Sequence, residues 1–254
     1  MAQRMVAASA ACTRTAAQRS MVSAFALVRV PSANRQAPFS GRAMSTGKVF
    51  LVCSNPIGES FSNAIADSVE NGLTKGGKEV RRINLYQMPN EIGGGQFEPL
   101  LSFQERKEYF NENEQTVLKA DPHVKYIVQS LRWCDSVVLV YPTWWFNIPA
   151  ILKGFFDRCF IPGVGFRYDP VAQKRDTGLK NIEKVGTVTT YGFTEEEVTK
   201  AGDAGRVMIA GALPMLFSPT CKVEWNALYG MQGAQPKEVR TKFLADIEAT
   251  YSKW

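Results

Sequence analysis

The chain has 254 residues, 45% of them hydrophobic, so it is long enough to form one large domain or two small ones with a real core. Its formal net charge is +6, but six arginines between residues 1 and 46 all precede the first acidic residue, Glu59. Removing these six from the 30 basic residues leaves 24, which equals the number of acidic residues. The rest of the chain is therefore neutral, and this excludes a general electrostatic case for binding nucleic acid.

Residues 1–46 are rich in Ala, Ser and Arg and contain no acidic residue. This composition predicts an organellar targeting segment that is disordered and cleaved, followed by a folded domain over residues 47–254. The sequence Arg-Ala-Met-Ser at 42–45 resembles a mitochondrial processing site, so we predict a mitochondrial location. A plastid address and a cytosolic form that starts at Met44 remain alternatives. Pro214 interrupts the apolar run around it, and no membrane span is predicted.

Five short apolar runs predict strands, and their β-branched residues without alternation are typical of strands buried on both faces. They cover residues 48–54, 79–85, 136–141, 184–190 and 221–228. Segments with helical spacing or capping signals lie between and after them. They cover residues 60–74, 103–118, 124–133, 150–158, 194–212 and 236–251. The stretches 86–122 and 162–181 are otherwise predicted to be long connections, of which the first is long enough to cover a site or a partner surface.

Helices and strands alternate along the whole predicted domain. This order predicts a single doubly wound α/β domain of the flavodoxin type. Its sheet has five parallel strands in the order 2-1-3-4-5, with helices on both faces. The carboxyl ends of strands 1, 3 and 4 then adjoin, at the edge where open α/β sheets bind ligands.

Three loops follow those strands. The first loop, residues 54–62, presents hydroxyls at a helix N-terminus, which suits a phosphate, although ordinary helix capping by Ser60 explains it equally well. The second loop, residues 142–147, contains three aromatic residues in a row, which suit a flat ligand, although packing of the next helix is the alternative. The third loop, residues 189–192, offers two hydroxyls, backbone N–H groups and Tyr191. The predicted cofactor-binding residues are Ser54, Asn55, Ser60, Phe61, Ser62, Pro142, Thr143, Trp144, Trp145, Phe146, Asn147, Thr189, Thr190, Tyr191 and Gly192.

The cysteines and the single histidine do not indicate a metal site. Five cysteines show no ligand spacing, and the four after residue 46 are predicted to be buried free thiols. His123 lies far from the three loops in sequence, and we predict a surface or helix-capping role for it.

Residues 142–158, PTWWFNIPAILKGFFDR, closely resemble the signature of the flavodoxin-like NAD(P)H:quinone oxidoreductases. The segments Ser60-Phe61-Ser62, Phe97-Glu98-Pro99 and Thr189-Thr190-Tyr191-Gly192 agree with it, and the resemblance covers roughly residues 48–252. It implies a tightly bound flavin, FAD or FMN, with NAD(P)H as co-substrate. It also implies a homodimer and two-electron hydride transfer to a quinone or similar acceptor, with ping-pong kinetics.

The resemblance assigns no acid or base. Asn55 stands where many members of that family have histidine, and residues 194–204 contain neither the Tyr nor the His that some quinone reductases use. Tyr191 is the one candidate catalytic residue. A redox-sensing accessory protein and a one-electron carrier, both with little turnover, are the alternative functions.

Overall fold

The structure is a computed structural model, and it describes residues 47–111, 115–169, 171, 173–233 and 235–254. The predicted targeting segment, residues 1–46, lies outside the described residues. No helix among the described residues is long and apolar enough to cross a membrane.

The strands are β1 (Lys48–Cys53), β2 (Glu79–Asn84), β3 (Ser136–Pro142), β4 (Phe166–Asp169), β5 (Lys174–Thr177), β6 (Lys184–Thr190) and β7 (Lys222–Leu228). The α-helices are α1 (Phe61–Lys75), α2 (Phe103–Glu108), α3 (Thr116–Ala120), α4 (Pro122–Trp133), α5 (Ala150–Cys159), α6 (Glu195–Lys200), α7 (Ala204–Arg206) and α8 (Lys237–Tyr251). A π-helical segment covers Val207–Ala212, and 3-10 turns cover Asn90–Ile92, Leu213–Leu216 and Met231–Gly233.

The main sheet has the order β2-β1-β3-β6-β7, and every neighbouring pair is parallel. This confirms the predicted order, because β6 and β7 are the fourth and fifth strands of the prediction. Successive side chains of β3 enter two different cores, Val137 and Leu139 on one face and Val138 and Val140 on the other. Both faces are therefore buried, as the unbroken apolar runs predict.

Helix α8 lies directly against α1 on one face of the sheet. The approach is so close that a Cβ on Gly72 of α1 would lie 2.5 Å from the backbone oxygen of Glu248. Tyr251, which is fully buried, fills the same contact. A side chain at position 72 would thus push the two helices apart.

The other face is tied to the long connection through Arg158 of α5. Its Nε donates to Glu105 Oε1 at 2.7 Å and its Nη2 to Asp121 Oδ2 at 2.8 Å. Its Nη1 donates to the carbonyl of Glu98 at 2.5 Å. Because the guanidinium is buried and has both carboxylates, helix α5 is fixed to residues 98–121 by charge as well as by packing.

Three parts of the predicted pattern were wrong or incomplete. The helix predicted over residues 103–118 is instead two short helices, α2 and α3, because tertiary hydrogen bonds compete with its continuation. The buried amide of Gln115 donates to the carbonyls of Tyr109, at 3.1 Å, and Pro162, at 2.9 Å. In the stretch predicted as a polar connection, β4 and β5 form an antiparallel pair. Helix 194–212 is only partly regular, since a turn separates α6 from α7.

Three of the four cysteines predicted to be buried are buried, whereas Cys221 is half-buried. Burial raises the pKa of Cys53 to about 11 and that of Cys134 to about 12. Both thiols therefore stay protonated near neutral pH.

Candidate active site

The first loop is closed by the side-chain hydrogen bonds of Asn55, within the loop, and of Asn63, in the first turn of α1. Asn63 Nδ2 donates to the carbonyls of Ile57, at 2.9 Å, and Gly58, at 2.8 Å, while its Oδ1 accepts from the Cys53 thiol at 3.1 Å. Asn55 Nδ2 donates to Ser62 Oγ at 3.1 Å. These bonds fold the loop over the start of α1 without any unusual backbone angle, since no residue of the first loop has a positive φ.

The predicted residues of the first loop have different roles. Ser60 Oγ accepts from the Asn63 N–H at 3.2 Å and caps α1, which confirms the capping prediction. The ring of Phe61 points away from the loops and lies 6.4 Å from that of Phe243 in α8. Ser54 is fully buried, and its Oγ has no hydrogen-bond partner among the described residues. The N–H groups of Phe61 and Ser62, which have no partner among the described residues, are thus the groups of this loop that an anion could use.

The second loop is a tight turn on left-handed backbone. Trp144 and Asn147 exchange two backbone hydrogen bonds of 3.0 Å each. Between them, Trp145 has φ 50° and Phe146 has φ 57°. Non-glycine residues seldom adopt such angles, and each costs about 1–3 kcal/mol. The turn holds the Trp145 side chain out in solvent, where it is 97% exposed.

The third loop is bound to strands on both sides. Thr189 Oγ1 lies 3.0 Å from Thr143 Oγ1, and the Thr143 N–H donates to the Thr190 carbonyl at 2.8 Å. The Tyr191 N–H donates to the carbonyl of Leu228 at 2.8 Å. Consequently the Thr189 hydroxyl and the Tyr191 N–H, which the sequence offers as ligand groups, are used within the protein.

A cavity of about 320 Å³ opens between the second and third loops, at the carboxyl ends of β3 and β6. Its lining is Pro142, Thr143, Trp145, Phe146, Thr190, Tyr191, Gly192, Phe193, Met231 and Gln232. The predicted residues of the first loop, together with Trp144, Asn147 and Thr189, are not in this lining. The first loop nevertheless lies at the same edge, because the Ser54 N–H donates to the carbonyl of Val140 in β3 at 3.0 Å.

Sequence reasoning missed Phe193, Met231, Gln232 and the role of Asn63. Residues 230–232 follow β7, which adjoins β6 in the predicted order. Counting the loop after the fifth strand among the converging loops would therefore have found two of them. For Asn63, in the first turn of a predicted helix, the sequence contains no comparable signal.

The cavity offers what a flavin ring system needs. Aromatic side chains stand at its rim, and its volume falls within the usual range of about 300–1,000 Å³ for small-molecule sites. Within the described part of the chain, no acceptor bonds the backbone N–H groups of Trp145, Phe146 or Gly192. The residues present therefore fit a flat ligand with oxygen or nitrogen acceptors at its edge.

The ionisable groups near the cavity do not form an evident acid–base pair. The hydroxyl of Tyr191 donates to Asp203 Oδ1 at 2.8 Å, and its ring stacks on Tyr229 with centroids 4.8 Å apart. Burial, and then the bond to Asp203, raises the pKa of Tyr191 well above its usual value. Its phenol is thus neutral and engaged, and the catalytic role suggested for it stays a prediction.

The single histidine lies outside the cavity lining. His123 lies in the first turn of α4, which Asp121 caps, and is half-buried outside the lining of this cavity. Among the described residues, no three His, Cys, Asp or Glu side chains come together as a metal site would require.

Comparison with known proteins agrees with this geometry. The profile of a family described by its flavodoxin-like fold matches residues 47–252. An uncharacterized NAD(P)H oxidoreductase of Escherichia coli is 25% identical over 123 residues, which are 48% of this chain and 57% of that protein. The NAD(P)H dehydrogenase (quinone) 1 of Cavia porcellus is 28% identical over 203 residues, 73% of this chain and 69% of that protein.

Among solved structures, an NAD(P)H:quinone oxidoreductase from Methanothermobacter marburgensis superposes with a TM-score of 0.66. It is 23% identical, and the match covers 82% of this chain and 98% of that one. At this identity the superposition supports the fold. The chain spans somewhat over half the length of several curated relatives that it matches, such as 57% of the Escherichia coli protein.

Proposed function

We propose, from the premise that this chain belongs to the flavodoxin-like fold family, that it is a flavin-dependent NAD(P)H oxidoreductase. Its acceptor is a quinone or a similar molecule, which takes two electrons. The observation that carries the proposal is the cavity between the second and third loops, with its aromatic rim and unbonded backbone N–H groups. The names of the relatives, quinone dehydrogenases and NAD(P)H oxidoreductases, support the same reaction class.

When bound, a flavin supplies the ability to take a hydride from NAD(P)H and to pass two electrons on, by turns in one pocket. The chain's own residues then have defined tasks. Trp145 and Phe146 of the second loop would shield the ring system from water. The N–H group of Gly192 would stabilise negative charge on the ring edge, since donors fixed by the fold need no reorganisation. No acid, base or metal is required from the protein for this.

The first loop would hold the phosphate of the cofactor. The N–H groups of Phe61 and Ser62 at the start of α1 have no partner among the described residues, and the positive end of the helix dipole favours an anion there. The buried Ser54 hydroxyl, unpartnered among the described residues, lies at the same edge of the sheet. Both FAD and FMN remain candidates, and NADH and NADPH are both candidate donors.

We also propose that the protein is a homodimer in mitochondria. The dimer is supported by large apolar side chains on the long connection, where Leu100 is 74% and Phe103 is 83% exposed. Self-association would remove these side chains from water. The location is supported by the composition of residues 1–46. Sedimentation of the purified protein and imaging of a fluorescent fusion test the two proposals.

The visible absorption spectrum of the purified full chain tests the reaction. We expect a flavin spectrum that bleaches with NAD(P)H and recovers on adding a quinone; chromatography of the released chromophore identifies FAD or FMN. Replacing Trp145 and Phe146 together with Ala should weaken flavin retention. A colourless protein that neither flavin reconstitutes would exclude the proposed enzyme, and a stable one-electron reduced flavin during titration would favour a one-electron carrier.

A further inference from the structure

Phe193, just after the third loop, holds an unusual position beside the cavity. Its ring stacks on that of Phe146, with centroids 4.7 Å apart and an angle of 17° between the planes. It is 39% exposed, although a large aromatic side chain gains most when buried. The stack joins the second loop to the segment that follows the third.

The local sequence predicts that this side chain packs on the start of α6. Thr194 caps α6 through a capping box with Glu197, and the residue before such a cap commonly packs against the fourth helical residue. That fourth residue is Val198, which is buried, while Phe193 remains partly in solvent. Part of the ring therefore faces solvent at the cavity, whose lining includes it.

The backbone below Phe193 leaves it little freedom. The carbonyls of Tyr191, Gly192 and Phe193 accept from the N–H groups of Met231, at 2.9 Å, Gln232, at 3.0 Å, and Gly230, at 2.8 Å. Three consecutive bonds fix the direction in which the chain passes the cavity. The Phe193 ring is thus presented at the rim by a rigid support.

The cavity has a buried floor and an exposed aromatic rim. Tyr191 is 2% exposed, whereas Trp145 is 97% and Phe193 is 39% exposed. A cofactor held permanently belongs on the floor, and a substrate that enters and leaves meets the rim first. The exposed part of the Phe193 ring at the rim is therefore open to a second ligand.

We propose that Phe193 is a specificity-determining residue for the electron acceptor, and that its ring, paired with Phe146, selects flat aromatic acceptors over those with bulk out of the ring plane. This rests on the proposed function. A flat ring can extend an existing stack at the offset geometry that aromatic pairs prefer. Substituents above and below the ring plane would meet the Phe193 face instead.

Binding to the oxidised flavin-loaded protein, without NAD(P)H, tests this free of turnover. The probes are naphthoquinone, which is flat, and a benzoquinone with two tert-butyl groups, and the readout is quenching of flavin or tryptophan fluorescence. Phe193→Ala should weaken naphthoquinone binding about 2- to 12-fold, the range of one aromatic pair. It should leave the bulky quinone unaffected or bound more tightly, with both quinones measured at full flavin loading of each variant. Phe193→Tyr should keep the wild-type preference, and Phe193→Leu should lose it.

Met215→Ala is the matched control, because Met215 is 66% exposed and outside the cavity lining. In steady-state assays the change should appear in KM for naphthoquinone and not in kcat. An equal loss for both quinones or an unchanged preference in Phe193→Ala would overturn the inference while wild type still reduces quinones. If wild type binds no flavin, the proposed function itself fails, and this inference fails with it.

Discussion

The first and second loops lie at the same edge of one sheet, yet they hold their shapes by opposite means. The first loop has relaxed backbone angles and is closed by side-chain hydrogen bonds, chiefly those of Asn63. The second loop has only two backbone bonds across its turn and two residues in the left-handed region. Strain of this kind persists only where the surroundings enforce it, and it is characteristic of functional sites.

The helices that follow the two loops also differ in the ion pairs that hold them. Helix α5, behind the second loop, carries the buried Arg158 with its two carboxylates. Helix α1, behind the first loop, carries Asp67 and Glu70, which meet Arg82 near the surface. The strained turn is therefore backed by the more strongly fixed helix.

The largest expected effect comes from breaking that support. Arg158→Met should destabilise the protein by about 3–5 kcal/mol, because two carboxylates would be left without their buried partner. Denaturant unfolding measures the loss. Burial raises the pKa of Glu105, but hydrogen bonds from Ser102 and Arg158 outweigh it, so this pKa lies below its usual value. The pair's contribution is thus full above the unfolded pKa of about 4.3 and is lost as pH falls through the folded pKa.

Arg82→Met, in β2, is the control for α1, because each of its two ion pairs near the surface, with Asp67 and Glu70 of α1, should contribute no more than about 1 kcal/mol. The difference between Arg158→Met and wild type should also shrink in acid, where Glu105 is protonated. A loss for Arg158→Met as small as that for Arg82→Met would show that α5 is held by packing alone.

A smaller effect is expected from opening the first loop. Asn63→Ala removes three hydrogen bonds of a nearly buried amide and should cost about 2 kcal/mol. Hydrogen exchange should become faster in the first loop and stay unchanged in the second. Asn71→Ala, at an exposed position of the same helix, should do neither. Equal acceleration in both loops would mean that they are not held independently.

The smallest expected effect on stability is a gain instead of a loss. Trp145→Gly relieves the left-handed backbone and loses little packing, since the side chain is 97% exposed, so the protein should gain up to about 1 kcal/mol. The same variant should bind flavin more weakly. Trp145→Ala keeps the strain and should show the weaker flavin binding without the gain. A loss of stability in Trp145→Gly would show that the turn is not strained.

The sheet was predictable because each of its strands has a recognisable local sequence pattern. Runs such as Val137 to Tyr141 are apolar without interruption and rich in β-branched residues, a pattern typical of a strand covered on both faces. The antiparallel pair β4 and β5 was not predictable on that basis. Most of its residues, among them Arg167 and Asp176, are polar and exposed, so the sequence shows no apolar run there.

The strand order predicts which loops lie together at the site. It does not predict the side-chain contacts between them. The second and third loops form the cavity as predicted from β3 and β6. The stacking of Phe193 on Phe146 depends on the turn at Trp145, whose positive φ nothing in the residue type suggests, since glycine or asparagine is usual there. The Asp203 contact that engages the Tyr191 hydroxyl likewise follows from a distant turn.

The contact between α1 and α8 has a consequence during biosynthesis. A ribosome delivers α1 long before α8, so the face of α1 around Gly72 has no partner while the intervening strands are made. The growing chain therefore carries this face of α1 uncovered until α8 is made, although α1 can already pack on the strands of the sheet. Slower elongation would prolong this interval without changing the folded protein.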